Sequence, residues 1–162
     1  MSKKIYLDPA ELAVKLDALR AKGATIVTAN GCFELLHLGH VHYLRAARAL
    51  GDVLVLAVNS DESMRRIKPD RRPVNPDVDR YEILAAFEFV DFVVPLEEST
   101  PISLLELFRP HVHAKGTDYT LERIPERETV ERNGGRVELV GGPKERSTTE
   151  MLDSLKKPTL LS

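Results

Sequence analysis

His37-Leu38-Gly39-His40 is the most chemically pointed stretch of this 162-residue chain, with two imidazoles three residues apart and a glycine between them. It follows a β-branched run at 25–29 and opens a helical pattern at 38–50 that Gly51 ends. Side chains three apart share one face of a helical turn, and glycine lets a ligand approach the backbone closely. The first turn of a helix already favours phosphate, through its unpaired N–H groups and positive end. Two imidazoles at that point make a site for charge on a phosphoryl group. The dinucleotide glycine fingerprint is absent, because only Gly31 and Gly39 are present and they lie eight apart, and there is no Gly-Lys-Ser/Thr phosphate loop.

Other candidates fall at similar places in the pattern. Lys115 ends a strand and would reach the same phosphates, and Ser147-Thr148-Thr149 sits where the last helix begins. That trio offers hydroxyls and N–H groups to phosphate, although it also reads as a plain helix N-cap. Asn59 and Asp61 follow the second strand and are candidates for sugar hydroxyls, with helix capping an equal reading for Asp61. Between Met64 and Pro73, Arg65, Arg66, Lys68, Arg71 and Arg72 face only Asp70. This concentration reads as a mobile loop closing over an anionic substrate, with Arg71 and Arg72 on the acceptor. A solvated loop is the plainer reading, and an RNA contact is disfavoured because no aromatics are interleaved. Cys32 reads as structural, having no base aimed at it. His42, His111 and His113 read as packing or surface residues.

The elements that must hold these groups are legible from periodicity. Asp8-Pro9 starts a helix whose Leu12, Leu16 and Leu19 recur at helical spacing until Gly23. Strands are expected at 25–29, 52–58, 92–94, 111–114 and 136–140, and helices at 38–50, 76–87, 101–108, 126–132 and from Thr148. Five strands separated by helices predict a Rossmann-like doubly wound parallel sheet, a three-layer α/β/α sandwich. One domain is expected over 1–162, with its core at about 24–155. In such sheets ligands bind beyond the carboxyl ends of the strands, where strand order reverses. Composition is that of a globular protein, 43% hydrophobic and 30% charged. With 23 Lys and Arg against 25 Asp and Glu, no global field favours nucleic acid or an anionic membrane. No apolar run reaches the ~20 residues of a membrane span, and the basic start lacks the apolar stretch of a signal peptide. A single cysteine forms no internal disulfide, and no metal ligands are expected from the protein. The chain reads as cytoplasmic.

The histidine pair resembles the signature of the His-x-Gly-His nucleotidyltransferase superfamily. Five segments narrow the likeness: 28–41, Val58-Asn59-Ser60-Asp61, Arg72-Pro73-Val74-Asn75, Lys115-Gly116-Thr117-Asp118-Tyr119 and Arg146-Ser147-Thr148-Thr149. Together they resemble the heptose 1-phosphate adenylyltransferase family, the nucleotidyl-transfer half of bifunctional ADP-heptose synthase, over about 24–155. The resemblance implies transfer of AMP from ATP to D-glycero-D-manno-heptose 1-phosphate, in a homodimer, and the chemistry of the triphosphate leads us to expect magnesium with the ATP. It implies catalytic roles for His37, His40 and Lys115. It implies nucleotide contacts from Asn30, Gly31, Cys32, Phe33, Gly39, Gly116, Asp118, Ser147, Thr148 and Thr149, and a phosphate contact from Arg80. Glu34 stands where the family usually has aspartate and Thr117 where it usually has a second glycine, and both bear on the sugar or nucleotide pocket. The rival readings are a cytidylyltransferase of the glycerol 3-phosphate type, another small phospho-acceptor enzyme of this fold, and a nucleotide-binding regulatory module without turnover.

Overall fold

A strand that is apolar on both sides must be covered on both sides, and Val53–Asn59 is buried at all seven positions. In the computed structural model, which describes residues 1–70, 73–143 and 147–156, this segment is β2 of a five-stranded sheet. The other strands are β1 (Ile26–Gly31), β3 (Phe92–Leu96), β4 (Val112–Gly116) and β5 (Arg136–Val140). They run parallel in the order β3-β2-β1-β4-β5. This is the predicted doubly wound arrangement, and its order reverses between β1 and β4.

Three helices follow α1 (Pro9–Ala21) before β3: α2 (Leu38–Arg48) links β1 to β2, while α3 (Asp61–Ile67) and α4 (Asp77–Ala85) link β2 to β3. Beyond β3 come α5 (Ile102–Phe108), α6 (Arg127–Arg132) and α7 (Thr148–Lys156). The period-two alternation of β2 divides the core. Leu54, Leu56 and Val58 face α2 and α4 with Leu44, Ala47, Leu84 and Ala85. Val53, Val55 and Ala57 face α1 and α5 with Leu12, Leu16 and Phe108. The α1 start is as read from sequence, since Asp8 accepts from Ala10 N–H at 2.8 Å and Pro9 takes the first helical position.

Strand and helix ends shift by one or two residues from the sequence expectation, which is where pairing rather than composition sets the boundary. One segment needs a larger correction. The stretch expected as a loop from Met64 begins within α3, capped by Ser60 rather than Asp61, with Ser60 Oγ accepting from Ser63 N–H at 3.2 Å. Arg65 and Arg66 therefore stand on a helix, and Arg66 pairs with Glu62 one turn earlier. The acidic first turn and basic last turn of α3 match its dipole. Arg71, Arg72 and Arg146 lie outside the described residues.

Gly135 turns the chain from α6 into β5 against a neighbouring strand entrance. A Cβ there would lie 2.3 Å from the Pro110 carbonyl oxygen and 3.0 Å from Val130 Cγ1, whereas one on Gly142 would meet nothing within 4 Å. Gly135→Ala is expected to lower stability by about 1–3 kcal/mol. Gly142→Ala should change stability by less than about 0.5 kcal/mol. Denaturant midpoints of the two variants measure the contrast.

Candidate active site

The paired positions of β1 and β4 end at Val27–Val112 and Thr28–His113. Beyond them the Ala114 carbonyl accepts from Tyr43 Oη at 2.8 Å instead of from β1. The two strand ends thus part, and a cavity of about 570 Å³ opens over them. Its walls come from the β1 end, the α2 start, the β4 end, the turn after β5 and the α7 start. Among the sequence-predicted residues it gathers His37, His40 and Lys115 with Asn30, Gly31, Cys32, Phe33, Gly39, Asn59, Gly116, Asp118, Ser147, Thr148 and Thr149.

His37 is the N-cap residue of α2 and His40 its third helical residue, so the helix start stacks the two rings with centroids 3.9 Å apart and planes 29° apart. His37 N–H donates to His40 Nδ1 at 3.3 Å. An Nδ1 that accepts carries no proton, so the neutral His40 ring bears its hydrogen on Nε2. Phe33 packs against His40 with centroids 5.2 Å apart and holds a left-handed φ of 49°. Gly31 makes room for that ring, because a Cβ there would lie 2.9 Å from Phe33 Cε2.

Under the site lies Arg80, 1% exposed. Its guanidinium donates to the carbonyls of Asn75 (3.1 Å), Cys32 (2.6 Å) and Asn59 (2.7 Å) and to Asp61 Oδ1 (2.8 Å). Arg80 and Asp61, expected on phosphate and on sugar hydroxyls, thus bond to each other, and Arg80 also to backbone carbonyls. Neither lines the cavity, and the planar fork of Arg80 is matched by protein acceptors that tie the β1 and β2 ends together. Asn59 does reach the cavity, with its amide held by Ser63 Oγ at 2.9 Å. The Cys32 thiol sits 3.6 Å from Asn59 Oδ1, and burial pushes its pKa up, consistent with a structural role.

On the β4 side, Lys115 is only 7% exposed. Its Nζ lies 2.9 Å from Glu126 Oε1, donates to Asn30 Oδ1 at 3.3 Å, and stands 4.6 Å from the Tyr119 ring centroid. The same Glu126 oxygen lies 3.3 Å from His113 Nε2, whose Nδ1 meets Thr28 Oγ1 at 2.8 Å. Burial pushes the His113 pKa down, and the Glu126 hydrogen bond opposes this without overcoming it. Burial would raise the Glu126 carboxyl, but the His113 hydrogen bond and the Lys115 ammonium hold it down to about 2. A neutral His113 then accepts from Thr28 and donates to Glu126. Sequence reasoning missed Glu126, because a glutamate after Pro125 in a turn carries no periodic signal.

At the far wall, Ser147 and Glu150 form a reciprocal cap. Ser147 N–H donates to Glu150 Oε2 at 2.9 Å and Glu150 N–H to Ser147 Oγ at 3.1 Å. The capping reading therefore holds for Ser147, while Thr148 Oγ1 donates to the Leu35 carbonyl at 3.2 Å and pins α7 to the segment before α2. Thr117 Oγ1 donates to the Gly142 carbonyl at 2.9 Å, clipping the β4 turn to the β5 turn. Glu34 is 2% exposed, and its carbonyl accepts from Asn75 Nδ2 at 3.3 Å.

The cytidylyltransferase-like family matches residues 28–156, which include every described wall of this cavity. The chain belongs to that family, and it is a nucleotidyltransferase. It is 51% identical over 142 residues to the bifunctional protein HldE of Pelobacter propionicus, covering 88% of this chain and 29% of that protein. It is 49% identical over 146 residues to HldE of Geobacter sulfurreducens, covering 90% of this chain and 30% of that one. The chain thus spans less than a third of the length of these curated relatives. Among solved structures, a lipopolysaccharide core biosynthesis protein from Thermoplasma volcanium superposes with a TM-score of 0.62 at 27% identity, over 73% of this chain and 95% of that one.

Arg80→Met is expected to cost about 3–5 kcal/mol, because it leaves the Asp61 carboxylate and three carbonyls without their donor. Denaturant unfolding measures it. The buried His113–Glu126 pair also makes stability pH-dependent. Both folded pKa values are depressed, so in acid the unfolded chain binds protons that the native one refuses, and stability falls with pH. His113 contributes this loss from about pH 6.5 downward, and Glu126 from about 4.3 toward its folded value. Melting curves between pH 7 and 5 should decline less steeply for His113→Gln than for the parent chain.

Proposed function

We propose that this nucleotidyltransferase is an adenylyltransferase that moves AMP from ATP to a sugar 1-phosphate of the D-glycero-D-manno-heptose type, giving ADP-heptose and pyrophosphate. The observation that carries the reading is the stacked His37–His40 pair at the α2 start, facing one cavity with Lys115 and the α7 start. The identity to bifunctional HldE proteins and the five sequence segments supply the choice of sugar.

A sugar phosphate needs no strong base, since its second pKa near ~6 leaves it ionised at neutral pH. Its oxygen forms a new bond to the α-phosphorus of ATP, the bond from that phosphorus to the bridging oxygen breaks, and pyrophosphate leaves with the electron pair. The protein's task is alignment and stabilisation of charge. His37 and His40, with the Nε2–H of His40 as donor, act on the α-phosphate oxygens. Lys115 and the N–H groups at the start of α7 act on the β- and γ-phosphates. Lys68, on the cavity wall at the end of α3, and Asn59 serve the acceptor, and Arg71 and Arg72 belong to the same assignment through their charge. Among the described residues no group of three or more His, Cys, Asp or Glu is placed to hold a metal. A magnesium ion arriving with ATP would supply charge neutralisation at the triphosphate. A homodimer acting on ATP and a sugar phosphate in the cytoplasm is part of this reading. Among the described residues no helix is long and apolar enough to cross a membrane.

Pyrophosphate release across four nucleoside triphosphates and several sugar phosphates tests the assignment. ATP should support turnover at least about tenfold better than CTP. Equal or faster turnover with CTP would place the chain with the glycerol 3-phosphate type of cytidylyltransferase. His37→Ala and His40→Ala should each lower kcat by about 10²–10³ while leaving ATP affinity and melting near those of the parent chain.

A further inference from the structure

We propose that Glu126 is a positioning residue for nucleotidyl transfer: its buried carboxylate holds the Lys115 ammonium at the mouth of the parted β1–β4 ends, aimed at the triphosphate. The proposal rests on the function inferred above and adds a residue that neither the histidine signature nor the strand-end pattern points to.

Lysine carries a compact charge on a flexible four-carbon stem, and its position in a wide cavity has to be imposed by neighbours. Here the neighbours are specific. Glu126 is 2% exposed and brings Oε1 to 2.9 Å from Lys115 Nζ. Asn30 accepts from the same nitrogen at 3.3 Å across the crevice, and the Tyr119 ring closes one side. Among the described residues, Glu126 and Asn30 are thus the two acceptors that meet the ammonium, and a phosphate oxygen in the cavity is the acceptor for the third donor. His113 shares the Glu126 oxygen at 3.3 Å. Its imidazole stays neutral, so Lys115 alone balances the carboxylate, and His113 serves to orient it. His113 and Lys115 are alternate residues of β4 and so project from the same face. One carboxylate arriving from the turn before α6 can therefore grip both. The order of the lysine is imposed when the chain folds and need not be imposed again when the nucleotide binds.

A purely structural Glu126 would serve only the packing of α6 on β4, and its loss would act independently of Lys115. The experiment compares the parent chain with Glu126→Gln, Lys115→Gln and their double variant. It uses pyrophosphate-release kinetics and lysine ammonium ¹H–¹⁵N spectra. We expect a slowly exchanging ammonium line in the parent chain that is missing in Lys115→Gln and is displaced or lost in Glu126→Gln. We expect Glu126→Gln, measured on the folded fraction, to lower kcat by about tenfold or more, a coupling ordinary for residues in contact. The double variant should be no slower than Lys115→Gln. An unmoved ammonium line in Glu126→Gln, or single losses that multiply in the double variant, would overturn the proposal. If Glu126→Gln does not fold, Glu126→Asp decides: a displaced line with reduced kcat supports the assignment, and an unmoved line or parental kcat refutes it. If the parent chain releases no pyrophosphate with any substrate pair, the proposed function falls, and the ammonium line alone decides whether Glu126 holds Lys115.

Discussion

The parting of β1 and β4 is the constraint on which the site depends. Strand order reverses there, so the connections from these two neighbours leave the sheet in opposite directions and nothing covers the gap between their carboxyl ends. Paired positions stop at Thr28 and His113, and the next β4 carbonyl in line is taken by Tyr43. That substitution keeps a buried backbone group satisfied while the sheet opens, which is the condition for a crevice in an otherwise paired core. The stacked histidines border one side of the opening and Lys115 the other.

Two buried polar junctions keep the opening in shape. Arg80 reaches under the β1 and β2 ends and joins Cys32, Asn59, Asn75 and Asp61 through one guanidinium. Glu126 joins His113 and Lys115 from the other side. Both are charged, and both are enclosed by their own counter-groups, which is the arrangement in which a buried charge is tolerated. Satisfied networks of this kind hold one geometry, because losing any member leaves the others unpaired in a low dielectric. They let the cavity wall carry polar groups that are rigid before any ligand arrives.

The outer clips work on the loops. Thr117 bonds the Gly142 carbonyl and Thr148 bonds the Leu35 carbonyl, so the β4 turn, the β5 turn, the α7 start and the approach to α2 are tied in sequence around the cavity. Thr117 lines the cavity, and a glycine in its place could not make this hydroxyl bond between the two turns.

What the sequence determined by itself was local and periodic. Val53 to Asn59 is apolar at nearly every position, so a doubly covered strand was legible without a partner. His37 and His40 were legible as a pair because helical spacing alone stacks residues three apart. Asp8-Pro9 announced α1 through capping chemistry that involves only neighbours. The tertiary structure decided whatever required residues distant along the chain. Arg80 read as a phosphate ligand, yet carbonyls 21 and 48 residues away enclose it. Arg65 and Arg66 read as loop, because a short helix of seven residues is stabilised by packing and capping more than by its own propensity. Glu126 read only as the start of a short helix, since a carboxylate there acquires its role only when folding sets it 2.9 Å from an ammonium on a neighbouring strand. Periodicity reports which face a residue presents, whereas the partner it meets there depends on how the strands are ordered.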